Sequence, residues 1–301
     1  MLRKTAHDYD QELLALFDAY VHGALDRRGF LDQAAKYAVG GVTAAMLLDE
    51  LSPRFAEAQV VKPDDARVKA EFVPYDSPNG SGKMRGYLTK PAKASGKLPA
   101  VLVVHENRGL NPHIEDVARR LALDNFVAFA PDALFPLGGY PGDEDKAREL
   151  FSKLDQAKTR EDFVTALGWL KARPETTGRV GAVGFCYGGG IVNMLATRAP
   201  DLAAGVAFYG SAPNLEDVPK IKAPLLIQSA ETDDRINAGW PAYEAALNAA
   251  NVRFTRHLYP GTQHGFNNDT TPRPRSSPGT ARSRSSTRSC GQRRACCLRG
   301  G

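Results

Sequence analysis

The chain has 301 residues, of which 43% are hydrophobic and 24% are charged, a balance typical of a globular protein with a sizeable core. This composition excludes wholesale disorder and a membrane-embedded body. The formal charge of +5 is unevenly distributed, because residues 270–301 carry eight arginines and no acidic residue, whereas residues 59–269 carry 25 basic and 25 acidic residues. We expect no nucleic-acid partner, since the basic tail lacks the interleaved aromatic side chains that stack on bases.

Residues 1–58 contain the three parts of an export signal in order. Residues 26–31 read Asp-Arg-Arg-Gly-Phe-Leu, a modestly apolar stretch covers residues 37–48, and residues 56–58 form a small-x-small site. This order resembles a bacterial twin-arginine signal. The apolar stretch is too short for a stable membrane span, which needs ~20 residues. We therefore expect recognition by the twin-arginine export machinery, no stable membrane span, and a periplasmic or secreted protein. A cytoplasmic protein with an amphipathic N-terminal helix is the alternative.

Strand-like and helix-like runs alternate from Arg67 onward. The predicted strands cover residues 68–73, 84–88, 99–104, 126–130, 179–184, 205–209, 224–228 and 254–259. The predicted helices cover residues 114–123, 145–154, 159–173, 187–198 and 240–250. The first two strands predict a hairpin around Asn79-Gly80-Ser81-Gly82. Short, continuously apolar strands between helices predict an α/β fold with a mostly parallel sheet, helices on both faces, and a site at the carboxyl ends of the strands.

The fifth predicted strand runs directly into Gly184-Phe185-Cys186-Tyr187-Gly188. A glycine-x-nucleophile-x-glycine sequence between a strand and a helix is the pattern of a nucleophile elbow, which exposes the side chain at its apex. The helix N-terminus favours the thiolate of Cys186, which is the attacking form of cysteine. The other three cysteines lie in the tail, so we expect neither a disulfide nor a CxxC zinc site in the body. A small buried cysteine without a catalytic role is the alternative.

An α/β-hydrolase places an acid and then a histidine after its nucleophile. An acidic loop follows the seventh predicted strand, and a Gly-Thr-Gln-His-Gly loop follows the eighth. This order predicts that His264 takes the proton of Cys186 and that Asp233 orients the imidazole ring. The neighbouring acids Asp234 and Glu231 remain open as alternatives to Asp233.

A third candidate loop follows the strand at residues 99–104 and reads His-Glu-Asn-Arg-Gly. An α/β-hydrolase takes its second oxyanion amide from this region, whereas the first comes from the residue after the nucleophile, here Tyr187. Glu106 is unusual in this loop, because a charged carboxylate near a thiol disfavours the thiolate or accepts a hydrogen bond from the thiol. The alternative for Glu106 is a solvated loop acid.

These motifs together resemble the dienelactone hydrolase family over about residues 68–266. The residues that carry the resemblance are Glu106 in His-Glu-Asn-Arg-Gly, Cys186 in Gly-Phe-Cys-Tyr-Gly-Gly, Asp233 in Glu-Thr-Asp-Asp-Arg and His264 in Gly-Thr-Gln-His-Gly-Phe. The resemblance implies an α/β-hydrolase domain over residues 59–271 that cleaves an ester or lactone through a Cys-His-Asp triad and an acyl-thioester. It further implies that Glu106 holds the resting thiol, that Asn107 and Tyr187 supply the oxyanion amides, and that no metal or organic cofactor takes part.

One position departs from the family members that act on the chlorocatechol-pathway lactone. Those members hold the substrate carboxylate with arginines, one of them four positions after the histidine, where this chain has Asn268. Arg148 is the candidate for the other arginine. The acyl substrate therefore stays open among esters, lactones and thioesters. A peptidase or acyltransferase on the same fold and an inactive remnant are the alternative functions.

The sequence changes character after about Thr271. Residues 272–301 form a Ser/Arg/Pro-rich run without hydrophobic periodicity, which predicts a disordered tail. An α/β-hydrolase normally continues past its histidine with an amphipathic helix, and this run cannot form one. A frameshifted end is one interpretation of the tail, and a natural basic tail is the other.

Overall fold

A computed structural model describes residues 8–21, 23–52 and 59–268. The small-x-small site and the tail lie outside the described residues. The strands are β1 Val68–Ser77, β2 Gly82–Pro91, β3 Leu98–Val104, β4 Val127–Pro131, β5 Thr176–Phe185, β6 Gly205–Phe208, β7 Leu225–Ala230 and β8 Phe254–Tyr259. The α-helices are α1 Gln11–Val21, α2 Arg27–Ala34, α3 Ala44–Leu51, α4 Pro112–Leu123, α5 Glu144–Ser152, α6 Gln156–Ala172, α7 Tyr187–Arg198, α8 Asp234–Asn237 and α9 Trp240–Ala249.

One eight-stranded sheet has the order β1-β2-β4-β3-β5-β6-β7-β8. The hairpin strands β1 and β2 are antiparallel to their neighbours, including the β2–β4 pair, and strands β3 to β8 pair with one another in parallel. The predicted α/β fold with a mostly parallel sheet is confirmed. The carboxyl ends of β3, β5, β7 and β8 therefore meet at one edge of the sheet, which brings the four candidate loops together.

Hydrophobic cores cover both faces of this sheet. In β3, Val101 and Val103 pack on the face that carries α4, whereas Leu102 and Val104 pack on the face that carries α6 and α7. All four side chains are fully buried. A strand that is buried on both sides has no polar positions, and this explains the continuous apolar run in the sequence.

Helices α1 to α3 form a separate unit, which we call the cap. Its core contains Leu13, Phe17, Tyr20, Phe30 and Leu48 among others and shares no residue with the two cores of the sheet. The side chain of Asp26 accepts a hydrogen bond from Gly29 N and caps α2, and that of Thr43 accepts one from Met46 N and caps α3. This segment was predicted from the sequence as an export signal. The structure gives it a fold of its own, and export stays a prediction.

The body that follows the cap is anchored from its first described residues. Val61 N donates to Asp116 Oδ1 at 2.7 Å, and Arg119 Nε donates to Val61 O at 2.8 Å, so the chain is fixed onto α4 before it enters β1. Among the described residues, no helix combines the length and the apolar character needed to cross a membrane.

Candidate active site

Cys186 lies at the sharp turn between β5 and α7. Its backbone angles are φ 54° and ψ −114°, a conformation that costs a non-glycine residue about 1–3 kcal/mol and is held by the surrounding structure. The flanking glycines permit the turn by close packing. A Cβ at Gly184 would lie 2.0 Å from the carbonyl oxygen of Gly188, and a Cβ at Gly188 would lie 2.3 Å from that of Val104. The turn leaves Cys186 half-buried at the edge of the sheet.

His264 and Asp233 meet beside this cysteine. His264 follows β8, Asp233 follows β7, and His264 Nδ1 lies 2.6 Å from Asp233 Oδ2. Both side chains are nearly inaccessible, with 7% and 1% of their surface exposed. The side chain of Cys186 is hydrogen-bonded to His264. Because Nδ1 faces Asp233, Nε2 is the nitrogen that faces the thiol. The structure thus brings the three predicted residues into one chain of contacts.

The other two acids of the same loop face elsewhere. Asp234 is exposed and is the first residue of α8. Glu231 is also exposed, and its Oε2 accepts a hydrogen bond from Gly261 N at 2.7 Å. Of the three candidates, Asp233 is therefore the one that the structure joins to His264.

The charge of His264 depends on its partners. Burial lowers the pKa of His264, but the negative charge of Cys186 and the hydrogen bond to Asp233 outweigh burial and raise that pKa to about 10. A histidine with this pKa is protonated throughout the neutral range. The arrangement therefore favours an imidazolium beside a thiolate, the form in which cysteine attacks.

Glu106 is buried and lines the same cavity as Cys186. Burial raises its pKa, and the nearby charge of Cys186 raises it further. The hydroxyl of Tyr209 donates to Glu106 Oε1 at 3.3 Å. The neighbouring Arg108 pairs with Glu144, with 2.9 Å between Nε and Oε2. The raised pKa favours the protonated form of Glu106, and its role in orienting the thiol stays a prediction.

Two cavities meet at Cys186. One, of about 490 Å³, is lined by Glu106, His264 and Asn268 and is bounded on its far side by the cap. The second, of about 450 Å³, is lined by Asn107, Arg148 and Tyr187. The residues predicted to supply the oxyanion amides thus border the same space as the thiol.

The chain is similar to proteins of a known family. The family model of the dienelactone hydrolase family matches residues 84–289. The chain belongs to the dienelactone hydrolase family. It is accordingly a hydrolase, as the sequence predicted. The family match extends past the described residues into the predicted tail. A second family model, described as YqhI-like, matches residues 1–36 and so covers α1 and α2 of the cap.

Individual proteins resemble the chain over different shares of its length. A protein of Escherichia coli K12 named "Putative carboxymethylenebutenolidase" is 32% identical over 232 residues, which cover 72% of this chain and 84% of that protein. The "Putative hydrolase fragment YghX" of the same organism is 58% identical over 114 residues, or 38% of this chain and 97% of the fragment. The crystal structure of the "Putative Dienelactone Hydrolase" from Klebsiella pneumoniae is 28% identical, has a TM-score of 0.65, and is matched over 100% of its own length and 77% of this chain.

Arg148 binds the cap. Its Nη1 donates to the carbonyl oxygen of Tyr20, its Nη2 lies 3.4 Å from Asp145 Oδ1, and its guanidinium stacks 3.9 Å from the centre of the Tyr20 ring. Arg148 was predicted as a ligand for a substrate carboxylate. The structure places it at the second cavity with its guanidinium engaged by α1 and α5.

Two features of the site were not identified from the sequence. Tyr209 follows β6 with φ 37°, donates to Glu106, and packs its ring 4.8 Å from that of His264. Its position at the carboxyl end of a predicted strand was the available signal. The cap was the other feature, and it contributes Asp18 and Phe17 to the first cavity. Contacts between segments so distant in sequence leave no local pattern.

Proposed function

We propose that this chain cleaves carboxylic esters or lactones with Cys186 as nucleophile, His264 as base and Asp233 as the carboxylate that orients the base. The observation that carries the proposal is the 2.6 Å contact between His264 Nδ1 and Asp233. The same imidazole is also hydrogen-bonded to Cys186. Membership of a hydrolase family supports the same chemistry. The positive φ of Cys186 supports a nucleophile elbow.

The proposed reaction has two steps. His264 Nε2 holds the thiol proton while Cys186 Sγ attacks the carbonyl carbon, and the amides of Asn107 and Tyr187 stabilise the negative oxygen. The C–O bond breaks, the imidazolium gives its proton to the leaving alkoxide, and an acyl-thioester remains. Water then attacks the thioester, His264 accepts its proton, and the acid leaves as the Cys186 thiol is restored. In a lactone, the leaving alcohol stays attached to the acid product.

The test uses 4-nitrophenyl acetate with the wild type and Cys186→Ala. We expect the variant to lose at least about 10³-fold in kcat, because the substitution removes the attacking sulfur. In the wild type, an acetyl adduct that mass spectrometry maps to Cys186 should accumulate when the reaction is quenched early. Equal rates for the two proteins would overturn the assignment. Preferred transfer of the acetyl group to an added alcohol, rather than to water, would identify an acyltransferase.

We also propose, from the sequence signal, export by the twin-arginine route with removal of residues 1–58. Cell fractionation of the wild type and of an Arg27→Lys/Arg28→Lys variant tests it. We expect the wild type in the periplasm, with a mature N-terminus at Gln59, and the variant in the cytoplasm. Uncleaved wild-type protein retained in the cytoplasm would contradict export.

A further inference from the structure

We infer that, in the chain that retains residues 1–58, the cap forms one wall of the substrate site. It makes that form of the enzyme selective for uncharged acyl groups, against substrates whose acyl part carries a carboxylate, and removal of residues 1–58 would end this selectivity. The inference rests on the proposed function, because the reacting atom in the shared cavity is Cys186 Sγ. It assigns a binding role to a segment far in sequence from the catalytic loops.

The cap is fixed against the loops that carry the chemistry. The hydroxyl of Tyr20 donates to Asp145, and Arg27 Nη1 lies 3.1 Å from the other oxygen of the same carboxylate. Asn107 Nδ2, in the predicted oxyanion loop, donates to the carbonyl oxygen of Val21 at 2.9 Å. Together with the contact of Arg148 to Tyr20, these bonds attach α1 to α5 and to the loop after β3. The wall is therefore positioned by the same loops that bind substrate.

The cap presents an apolar surface to the cavity. Leu14, Phe17 and Val21 from α1, and Leu51 from α3, line the same space as Cys186. Three of these four side chains also belong to the cap core, so they are held in place by packing. An uncharged alkyl or aryl chain that enters this space exchanges water for apolar contacts, which favours its binding.

The charges of the cavity act against an anionic substrate. Asp18 from α1 places a carboxylate oxygen within 4.8 Å of both His264 and Asp233. The two arginines that line the cavity are both paired, Arg108 with Glu144 at 2.9 Å and Arg235 with Asp18 at 3.9 Å. Five carboxyl groups line it, those of Asp18, Glu106, Glu231, Asp233 and Asp234, and the raised pKa of Glu106 favours its neutral form. The imidazolium of His264 offsets only one of the other four. A substrate carboxylate would therefore enter a space with an excess of negative charge.

The first experiment tests charge with two substrates of equal length, 4-nitrophenyl butyrate and mono-4-nitrophenyl succinate. We expect the wild type to prefer the butyrate, and Asp18→Asn to raise kcat/KM for the succinate half-ester relative to the butyrate by about tenfold. Asp32→Asn is the matched control, because Asp32 is an exposed residue of α2 that does not line the cavity. An equal change in the two variants, or no change in either, would overturn the role of Asp18.

The second experiment tests the wall with a series of 4-nitrophenyl esters from acetate to octanoate. Ala15 is exposed on α1 and lines the cavity, so Ala15→Leu adds bulk there without disturbing the cap core. We expect kcat/KM for the octanoate to fall about tenfold relative to the acetate. Ala35→Leu, at an exposed cap position outside the cavity, should leave the profile unchanged. An unchanged profile in Ala15→Leu would overturn the wall.

The experiments distinguish failure of the catalytic assignment from failure of the role given to the cap. If Cys186→Ala turns over acetate as fast as the wild type, the proposed function fails. If acetate turnover depends on Cys186 but neither cap variant shifts selectivity beyond its control, the function stands and the inference about the cap fails. Unfolding curves of each variant, followed by circular dichroism, separate a change in selectivity from loss of the cap.

Discussion

The three acidic side chains after β7 differ in environment far more than in sequence position. Asp233 is 3% exposed and meets His264, whereas Asp234 and Glu231 point into solvent or toward Gly261. The sequence predicted that the acid comes before the histidine and follows the seventh strand, since both follow from the order of the motifs. The direction of each side chain could not, because a shift of one residue along a loop reverses which side chain faces the site.

Replacing Asp233 should therefore separate it from its neighbour. We expect Asp233→Asn to lower kcat on 4-nitrophenyl acetate by about 10³- to 10⁴-fold, because an amide does not hold the imidazole in its productive form or stabilise the imidazolium. Asp234→Asn makes the same chemical change one residue away and should stay within about threefold of the wild type. A larger loss in Asp234→Asn than in Asp233→Asn would assign the carboxylate to Asp234.

The pKa of His264 gives a prediction about pH. Since that pKa is raised to about 10, the imidazole keeps its proton as pH rises from 6.5 to 9, and its positive charge favours the thiolate of Cys186. Alkylation of Cys186 by iodoacetamide should then change less than about threefold over this range. An ordinary thiol, with a pKa near 8.5, gains roughly tenfold per pH unit below that value.

His264→Gln removes the base and is the control for this profile. In that variant the alkylation rate at Cys186 should rise with pH in the manner of an ordinary thiol, because glutamine carries no positive charge to stabilise a thiolate. The residue that reacts is identified by peptide mapping. A wild-type profile as steep as that of His264→Gln would show that the two side chains are not an ion pair in solution.

At the scale of single elements, apolar runs located the strands well, and pairing with a neighbour determined where they end. The first hairpin strand was predicted over residues 68–73, yet β1 extends to Ser77, which pairs with Gly82. The extension passes through Pro74 and Asp76, which do not fit an apolar run. Backbone hydrogen bonds across a hairpin do not require apolar side chains, so hydrophobicity alone underestimates such strands.

The turn between β5 and α7 gives a sharp test of packing. Gly184→Ala should destabilise the protein by about 3 kcal/mol or more, because the added methyl group would lie 2.0 Å from a backbone oxygen that cannot move without breaking the elbow. Gly168→Ala is the matched control, since a Cβ at this position of α6 meets nothing within 4 Å. We expect that variant to gain up to about 1 kcal/mol, from the higher helix propensity of alanine.

Urea unfolding of both variants measures the difference. Equal stabilities for Gly184→Ala and Gly168→Ala would mean that the backbone at Cys186 is looser than the structure indicates. A destabilised Gly184→Ala that still reacts normally with 4-nitrophenyl acetate would show that the positive φ of Cys186 is not required for its reactivity.

At the scale of the whole molecule, the cap illustrates what a sequence leaves undetermined. Its helices have only 11, 8 and 8 residues, and isolated helices of this length are marginal in water. The fold of the cap comes from the packing of these helices on one another and on the body. Such contacts leave no local pattern in the sequence. An arginine pair before an apolar stretch is a local pattern that can be read directly. The same residues therefore predicted an export signal, and whether they are removed is tested by the mature N-terminus.

Because the cap and the body have separate cores, we expect the cap to unfold while the body stays folded. Phe30 is fully buried in the small cap core, and Phe30→Ala should cost about 3–5 kcal/mol, a loss that we expect to unfold the cap. We expect hydrogen exchange to show loss of protection in α1 to α3, while the amides of β3 and β5 remain protected. Turnover of 4-nitrophenyl acetate through Cys186 should persist.

Unfolding of the cap should also change the substrate selectivity of the enzyme. With the cap unfolded, Asp18 and the apolar wall leave the cavity, so the preference for butyrate over the succinate half-ester should fall toward that of Asp18→Asn. Val39→Ala is the control, because Val39 is 72% exposed within the cap. If Phe30→Ala instead removes protection from β3 and β5 together with the cap, the two cores unfold as one unit. In that case the body requires the cap in order to fold, and removal of residues 1–58 would abolish activity.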